Sequence, residues 1–235
     1  MTKRTLCGSI LGVEAYLVEV EVDLVRRLPK TTVVGLAASA VKEATERVRS
    51  AIVAAGFEYP KLRVTVNLAP ADVRKDGTAF DLPIALAILA ASGQIPCDLL
   101  HRYLFAGELA LDGRLRPVRG ALPLAMLSAE AGLAGVVLPT GCAGQAAVVP
   151  GIDAWRASSL GEVASWLKGE VRLQVATGPT VAAFDSLADL SDVRGQAVAR
   201  RALEVAAAGG HNLFLLGPPG VGKTMLAARI PSILP

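Results

Sequence analysis

The feature that most constrains this sequence is the glycine-rich segment 217–224, GPPGVGKT, which lies between the apolar residues 213–216 and an Ala- and Leu-rich stretch. It fits the pattern GxxxxGK[ST], in which a loop wraps around phosphate oxygens. The pattern requires a strand before the loop and a helix after it. We therefore predict a short buried strand over 212–216, a phosphate-binding loop, and a helix that begins at Lys223.

The residue types in this segment suit nucleotide phosphates. Glycines adopt positive φ and let backbone N–H groups approach an anion without a Cβ in the way, and the helix directs its positive end toward the same place. Lys223 supplies a cation for the β- and γ-phosphates, and Thr224 offers a hydroxyl to Mg²⁺. The segment predicts a site for ATP with Mg²⁺. The flanking strand and helix disfavour the alternative, a Gly/Pro-rich turn that matches by chance.

Hydrophobic periodicity divides the preceding residues into strands and helices. Residues 18–24 alternate between apolar and acidic side chains, which is typical of a strand with one wet face. Asp81, followed by Leu-Pro, is typical of an acidic cap with proline in the first turn of a helix. We predict helices over 37–55, 81–91, 122–131 and 160–168, strands over 63–68 and 135–138, and a hairpin over 104–118 that turns at Asp112-Gly113. Because these elements mix without strict βαβ alternation, we predict an α+β first domain.

The chain divides into three segments by pattern. Periodicity fades over 169–190, where Gly178-Pro179 interrupts the chain, so this stretch is predicted to be a linker. It separates a first domain, 1–168, from the start of an α/β domain that contains the phosphate loop, 191–235. Within the latter, a helix is predicted over 194–208 and ends at Gly209-Gly210.

Composition excludes several classes of protein. With 52% hydrophobic and 19% charged residues, the chain is globular, and no apolar run reaches the roughly 18 residues of a spanning helix. The first residues of the sequence do not contain the hydrophobic segment of a signal peptide, so we expect a cytoplasmic protein. Cys7, Cys97 and Cys142 are few and far apart, and they suit buried thiols in a reducing compartment. His101 and His211 have no ligand-like neighbours in sequence, so a Cys/His metal site is not expected.

Three segments of the second domain occur together in one known family: 192–196 (DVRGQ), 201–212 (RALEVAAAGGHN) and 217–227 (GPPGVGKTMLA). They resemble the opening of the ATPase module of the YifB/ComM family, AAA+ proteins related to the I subunit of magnesium chelatase. The resemblance implies that segment 192–195 lines an adenine pocket, so Val193 and Arg194 are candidate base contacts. It also implies that the nucleotide is bound by Gly217, Pro218, Pro219, Gly220, Val221, Gly222, Lys223, Thr224 and Met225.

The first domain resembles the N-terminal domain of the same family. The matching segments are 35–49, 66–72 (VNLAPAD), 80–85 (FDLPIA) and 107–120 (GELALDGRLRPVRG). That domain is similar in fold to the proteolytic domain of Lon, an α+β unit of the ribosomal protein S5 domain 2 type. The order and number of the segments argue against chance similarity.

The resemblance to Lon does not extend to its catalytic pair. Lon proteases use a serine activated by a lysine of lowered pKa. Segment 75–81 (KDGTAFD) places Ala79 at the serine position, and segment 119–124 (RGALPL) places Leu122 at the lysine position. A shift of one residue would offer Thr78 as a nucleophile but still no lysine. We interpret nearby Lys75 as a solvated loop charge, and we expect no peptidase activity.

Two basic groups stand out on the first domain, although the whole chain carries only +3. They could follow nucleic-acid phosphates, but ordinary surface charge explains them equally well. Aromatic residues make up 4% of the chain, which argues against a base-stacking platform. The two groups are Arg26, Arg27 and Lys30, and Arg114, Arg116 and Arg119.

An AAA+ ATPase needs more than a phosphate loop: an acidic strand motif for Mg²⁺ and water, sensor residues and an arginine finger from a neighbouring subunit. The eleven residues after Thr224 contain no acidic side chain. We therefore expect this sequence to be part of a longer protein and, alone, not to hydrolyse ATP.

Three functions follow from the resemblance. The favoured one is the N-terminal part of a ring-forming, hexameric motor that couples ATP hydrolysis to movement on DNA, with branch migration during natural transformation as the role implied for ComM. The first alternative is the ATPase subunit of a magnesium chelatase, against which the Lon-like domain argues. The second is a non-catalytic interaction module.

Overall fold

The computed structural model describes residues 3–12, 14–72, 75, 77–178 and 188–234. The chain divides into two compact units, Met1–Pro179 and Thr180–Pro235, called unit 1 and unit 2. The strands are β1 (Lys3–Leu11), β2 (Glu14–Val25), β3 (Lys30–Val34), β4 (Arg63–Ala69), β5 (Tyr103–Phe105), β6 (Glu108–Leu109), β7 (Leu115–Arg116), β8 (Gly135–Pro139), β9 (Asp153–Ala157) and β10 (Gln174–Val175). The helices are α1 (Ser39–Ala54), α2 (Asp81–Ala91), α3 (Ala121–Glu130), α4 (Thr140–Ala146), α5 (Leu160–Leu167), α6 (Ala197–Gly209) and α7 (Lys223–Ala227), with 3-10 helices at Leu190–Asp192 and Ile230–Ile233.

Unit 1 is built on one eight-stranded sheet in the order β10-β9-β8-β5-β1-β2-β4-β3. The pairs β1–β2, β2–β4 and β9–β10 are antiparallel, whereas β1–β5, β3–β4, β5–β8 and β8–β9 are parallel. A small antiparallel hairpin joins β6 to β7 outside this sheet. Unit 1 is therefore a mixed α/β structure around a large sheet.

The hydrophobic pattern of β2 explains its place in the sheet. Val18, Val20 and Val22 are fully buried, while the acidic residues between them are only partly covered, which confirms the predicted strand with one wet face. By contrast, all five residues of β8 are buried, as expected for a strand covered on both faces. The predicted helices at α1, α2, α3 and α5, the strand at β4 and the turn at Asp112-Gly113 are also confirmed.

Helix α2 is the centre of the unit 1 core, because every residue from Asp81 to Ala90 is buried and the helix contacts both β1 and β2. The prediction that Asp81 caps this helix is wrong. Asp81 is the first helical residue and makes no capping bond. Its carboxylate instead accepts hydrogen bonds from Arg47 Nε and Nη2, at 2.9 and 3.1 Å, and from the backbone N–H of Leu109 at 3.2 Å.

Part of the predicted linker 169–190 belongs to the sheet. Residues Gln174 and Val175 form the edge strand β10, which pairs with β9, and the flanking Leu173 and Ala176 are buried in the unit 1 core. The strand is only two residues long, which is too short for a recognisable period. Residues 179–187 of the predicted linker lie outside the described residues.

Unit 2 has a small core made of Leu190, Val193, Leu203 and Leu226. Helix α6 begins at Ala197 and not at 194, because Gly195 and Gln196 adopt left-handed φ values of 71° and 54°. The predicted buried strand over 212–216 is wrong: these residues form no strand, and Phe214 and Leu216 are 83% and 88% exposed. A strand requires a hydrogen-bonding neighbour, and the described part of unit 2 contains none.

Within the described residues, no helix combines the length and the apolar character that crossing a membrane requires.

Candidate nucleotide-binding site

The loop that the sequence singles out is shaped by two glycines in the left-handed region. Gly220 and Gly222 have φ values of 84° and 89°, which a residue with a Cβ adopts only with strain. Helix α7 begins at the next residue, and the N–H of Leu226 donates to the carbonyl of Gly222 at 2.9 Å. The chain thus turns sharply from loop to helix at Gly222, which brings the backbone of 217–222 close to the side chains of Lys223 and Thr224.

Lys223 bends back over the start of the loop. Its ammonium donates to the carbonyl oxygens of Gly217 and Pro218, at 2.7 and 2.8 Å. These bonds hold a full positive charge against the first two residues of the loop. The carbonyl of Val221 accepts a weaker bond from Gln196 Nε2 at 3.4 Å, so the loop is also tied to the start of α6.

Side chains would be tight at two of the loop glycines. A Cβ at Gly217 would lie 3.2 Å from Val221 Cγ2, and one at Gly222 would lie 3.3 Å from Met225 Cε. Pro218 and Pro219 are exposed. Glycine is therefore required by conformation at Gly220 and Gly222, whereas a Cβ at Gly217 or Gly222 would meet only the end of a side chain that must shift by a few tenths of an ångström.

Thr224 lies beside a small cavity of about 340 Å³. Its hydroxyl has no hydrogen-bond partner among the residues that the structure describes, so it is available to a ligand. The described residues contain no cluster of three or more His, Cys, Asp or Glu side chains that could hold a metal ion by themselves. The cavity is lined by Leu213, Leu215, Lys223, Thr224, Ala227 and Ile230.

The two candidate base contacts have different environments. Val193 is 2% exposed and its side chain is part of the small core that includes Leu226 of α7. Its carbonyl accepts a bond from Arg200 Nη1 at 3.4 Å. Arg194 is exposed. The structure thus brings segment 192–195 next to the helix that follows the loop, with Arg194 as the side chain that is open to solvent.

Arg229 was not predicted, yet it joins the two parts of the site. Its Nε donates to the carbonyl of Asp189 at 3.0 Å, its Nη1 donates to the carbonyl of Met225 at 2.9 Å, and its Nη2 lies 3.6 Å from an Asp192 carboxylate oxygen. The side chain therefore fixes the end of α7 to the segment 189–192. A basic residue just after a helix is a common signal for binding the last carbonyls, but it does not reveal the second partner.

The residues of unit 1 that match the Lon catalytic segments do not form a catalytic pair. Ala79 has no nucleophilic atom, and its carbonyl accepts a bond from the N–H of Gly107 at 3.0 Å. Our interpretation of Lys75 as a solvated loop charge is wrong. The side chain is fully buried, its ammonium donates to the carbonyl of Pro70, and burial lowers its pKa.

Comparison with known families matches both units. A family model described as subunit ChlI of Mg-chelatase matches residues 20–141, which is slightly more than half of the chain. A second model, described as magnesium chelatase, subunit ChlI, matches residues 189–235 and therefore includes the phosphate loop.

Several curated proteins are similar over almost the whole chain. The competence protein ComM of Haemophilus influenzae is 46% identical over 230 residues, covering 96% of this chain and 45% of the relative. The protein YifB of Escherichia coli is 46% identical over 228 residues, covering 97% and 45%. The YifB of Salmonella typhimurium is 45% identical over 227 residues, with the same coverage. The chain spans just under half the length of the curated relatives it matches.

Proposed function

Because the chain belongs to the YifB/ComM family of magnesium-chelatase-like proteins, we propose that it is the ATP-binding part of an AAA+ ATPase. The observation that carries this proposal is the loop 217–224 with Lys223 folded over its first carbonyls. Two left-handed glycines shape that loop immediately before α7. This arrangement supports phosphate binding by backbone N–H groups and one mobile cation.

Each loop residue has a separate task in the proposed site. The backbone from Gly217 through Gly222, with Pro218, Pro219, Gly220 and Val221 between them, surrounds the phosphates. Lys223 exchanges its bonds to carbonyls for bonds to phosphate oxygens, and Thr224 offers its hydroxyl to Mg²⁺, which neutralises phosphate charge. Met225 and segment 192–195 lie beside the loop, where Val193 shapes the base pocket through its backbone and Arg194 through its side chain.

For unit 1 we propose a Lon-like fold of the ribosomal protein S5 domain 2 type that serves as an interaction domain. Support comes from a large mixed sheet with α2 against one face and from a catalytic position occupied by Ala79. We propose a first domain over 1–168 and a second over 191–235, with residues 173–176 added to the first because they belong to its sheet and core. We also propose a cytoplasmic location.

For the longer protein we propose a hexameric ring that moves on DNA at the expense of ATP. The printed name of the Haemophilus influenzae relative, competence protein ComM, supports a role in branch migration during natural transformation. The alternative is an ATPase subunit for metal insertion, which the ChlI description of both family models favours. DNA-stimulated ATP turnover by the longer protein separates the two, since a chelatase subunit is not expected to respond to DNA.

The ATP site is tested by equilibrium binding of a fluorescent ATP analogue to the 235-residue chain with Mg²⁺. We expect Lys223→Ala to weaken binding by about 2 kcal/mol or more, because a charge-assisted bond to phosphate is lost. The control is Arg201→Ala, which removes an exposed positive charge in the same unit and should leave binding unchanged. Equal affinities for the chain, the Lys223 variant and the control would refute the site.

A further inference from the structure

Two neighbouring cavities lie along one edge of unit 1, where the strand β3 meets helix α1. One has a volume of about 720 Å³ and lies between the start of β3, the outer side of α1 and the connection from α1 to β4. The other has a volume of about 590 Å³ and shares Pro29 and Lys30 with the first. We call the whole the cationic cleft, because its walls carry Arg27, Lys30, Arg49, Lys61 and Arg63.

The charge of this cleft is not balanced. Among the described residues, two carboxylates line it, Glu46 and Glu58. This leaves an excess of three positive charges in a chain whose total is also +3. None of the five cations forms an ion pair with another residue that the structure describes. Lys30 and Arg63 are direct partners in the β3–β4 register, and like charges placed opposite each other destabilise a sheet. An anionic ligand would remove that repulsion.

The wall of the cleft also holds a guanidinium close to an aromatic ring. The Tyr59 hydroxyl and Thr31 Oγ1 are hydrogen-bonded at 2.8 Å, which fixes the ring against β3. The guanidinium carbon of Arg49 lies 5.6 Å from the centre of that ring. Arg49 donates no hydrogen bond to any other described residue, so its N–H groups are free for phosphate oxygens. A guanidinium plane is also a surface on which a nucleobase can stack.

We propose that the cationic cleft binds a single nucleic-acid strand through its phosphodiester backbone. A concave groove lined by cations suits one flexible strand, whereas duplex DNA is read by elements that project into its grooves. Phosphates would lie along Arg27, Lys30 and Arg63, where no carboxylate lines the wall, and a base would lie on Arg49. An acidic peptide is the rival ligand, but it has no flat ring to use that guanidinium surface.

This inference takes from the proposed function only the idea that DNA is a partner. It assigns DNA a contact surface that is far in sequence from the ATP loop.

The test measures binding of a short fluorescein-labelled oligo-dT to the whole 235-residue chain by fluorescence anisotropy, without ATP, over a range of salt concentrations. The cleft variant is Lys30→Gln/Arg49→Gln. The control is Arg102→Gln/Arg172→Gln, which removes the same charge from exposed positions outside the cleft.

We expect the cleft variant to bind oligo-dT at least about tenfold more weakly. Its plot of log affinity against log salt should be shallower by about 0.7, since each phosphate contact on a single strand contributes about 0.7 and Lys30 is the phosphate contact of the pair. The control should stay within about twofold of the original chain at equal salt. Circular dichroism and the unfolding midpoint verify the fold. If the cleft variant does not fold, Arg27→Gln/Lys61→Gln replaces it, because both residues lie in exposed connections.

Three results would overturn the proposal. Equal loss in the cleft variant and the control would refute the cleft and keep DNA as a partner bound elsewhere. No binding of oligo-dT by a chain that still binds the fluorescent ATP analogue would refute the cleft and leave the ATP site intact. Tighter binding of duplex DNA or polyglutamate than of oligo-dT would show that the cleft has another kind of ligand.

Discussion

At the scale of single residues, the Arg47–Asp81 pair is the principal electrostatic contact of unit 1. The Asp81 carboxylate is fully buried, whereas the Arg47 side chain is 26% exposed. Burial raises the pKa of Asp81, and the hydrogen bonds from Arg47 act in the opposite direction. The pKa of Arg47 is raised by its bond to Asp81. The carboxylate also binds the N–H of Leu109, so one side chain connects α1, α2 and the β6–β7 hairpin.

We predict that Asp81→Ala lowers the free energy of unfolding of unit 1 by about 3 kcal/mol, because it leaves Arg47 and a buried N–H without their partner. The measurement is chemical denaturation followed by tryptophan fluorescence. Arg4→Ala breaks an exposed pair with Glu19 and should cost less than about 0.5 kcal/mol. The double variant Arg47→Met/Asp81→Leu should recover part of the loss, and a double variant as unstable as Asp81→Ala would contradict this account.

The three thiols should react at very different rates. Burial raises the pKa of Cys7 to about 12, so at pH 8 only about one molecule in 10⁴ carries the reactive thiolate. Burial also raises the pKa of Cys142. Cys97 is half-buried, with Lys3 Nζ 3.3 Å from its sulfur. We predict one fast thiol in the folded chain and three after denaturation, measured with a chromogenic disulfide reagent. A fast phase that survives Cys97→Ser would disprove the assignment.

At the scale of elements, the end of β3 depends on a glycine. Gly35 has φ of 98°, and a Cβ there would lie 2.2 Å from the carbonyl oxygen of Leu68 in β4. Gly56 has a similar φ of 84°, but a Cβ there would meet nothing within 4 Å. The two positions therefore separate the effect of backbone strain from the effect of a clash.

We predict that Gly56→Ala destabilises unit 1 by about 1–2 kcal/mol, from the left-handed conformation alone. Gly35→Ala should cost clearly more, since the parallel strands β3 and β4 must also move apart. Thermal unfolding of the two variants under identical conditions measures both. If the two variants lost the same free energy of unfolding, the predicted clash with Leu68 would not contribute to stability.

The sequence could predict elements whose pattern is local and complete. Helix α1 and strand β2 have clear periods, because each buries one face and leaves the other wet. Strand β1 was not predicted, because its five central residues, 5–9, are all buried between β2 and β5 and show no alternation. The segment 212–216 is apolar enough for a strand, but pairing depends on residues distant in sequence. In the same way, the loop 217–224 could be predicted because its motif is contiguous in sequence. The role of Arg229 could not, because its partner Asp189 is distant in sequence.

At the scale of the whole molecule, the two units have cores of very different size. Unit 1 buries residues from every helix of the unit and from most of its strands, while the unit 2 core consists of four buried side chains with a few partly buried neighbours. Since stability grows with the apolar area that is buried, unit 2 should be the less stable of the two. Both tryptophans of the chain, Trp155 and Trp166, belong to unit 1, so their fluorescence reports on that unit alone.

We predict two unfolding transitions: an early one seen by circular dichroism and a later one seen by both circular dichroism and tryptophan fluorescence. ATP with Mg²⁺ should raise the free energy of unfolding of the early transition alone. The increase should be about 2.7 kcal/mol when the nucleotide concentration is 100 times its Kd. Lys223→Ala should reduce this shift to about 1 kcal/mol or less at the same nucleotide concentration, without changing the tryptophan signal. A single transition that both probes report together would contradict the division into units.

The bond between Arg47 and Asp81 also limits how this sequence changes over generations. Losing either residue alone leaves the charge of the other without its partner. Replacing both with apolar residues removes that charge and leaves only the Leu109 N–H without an acceptor. Selection therefore acts on the two codons as a unit, and a change that is harmful at one position becomes tolerable only after a change at the other. The bond from Leu109 uses the backbone, so it adds no third side chain to this evolutionary coupling.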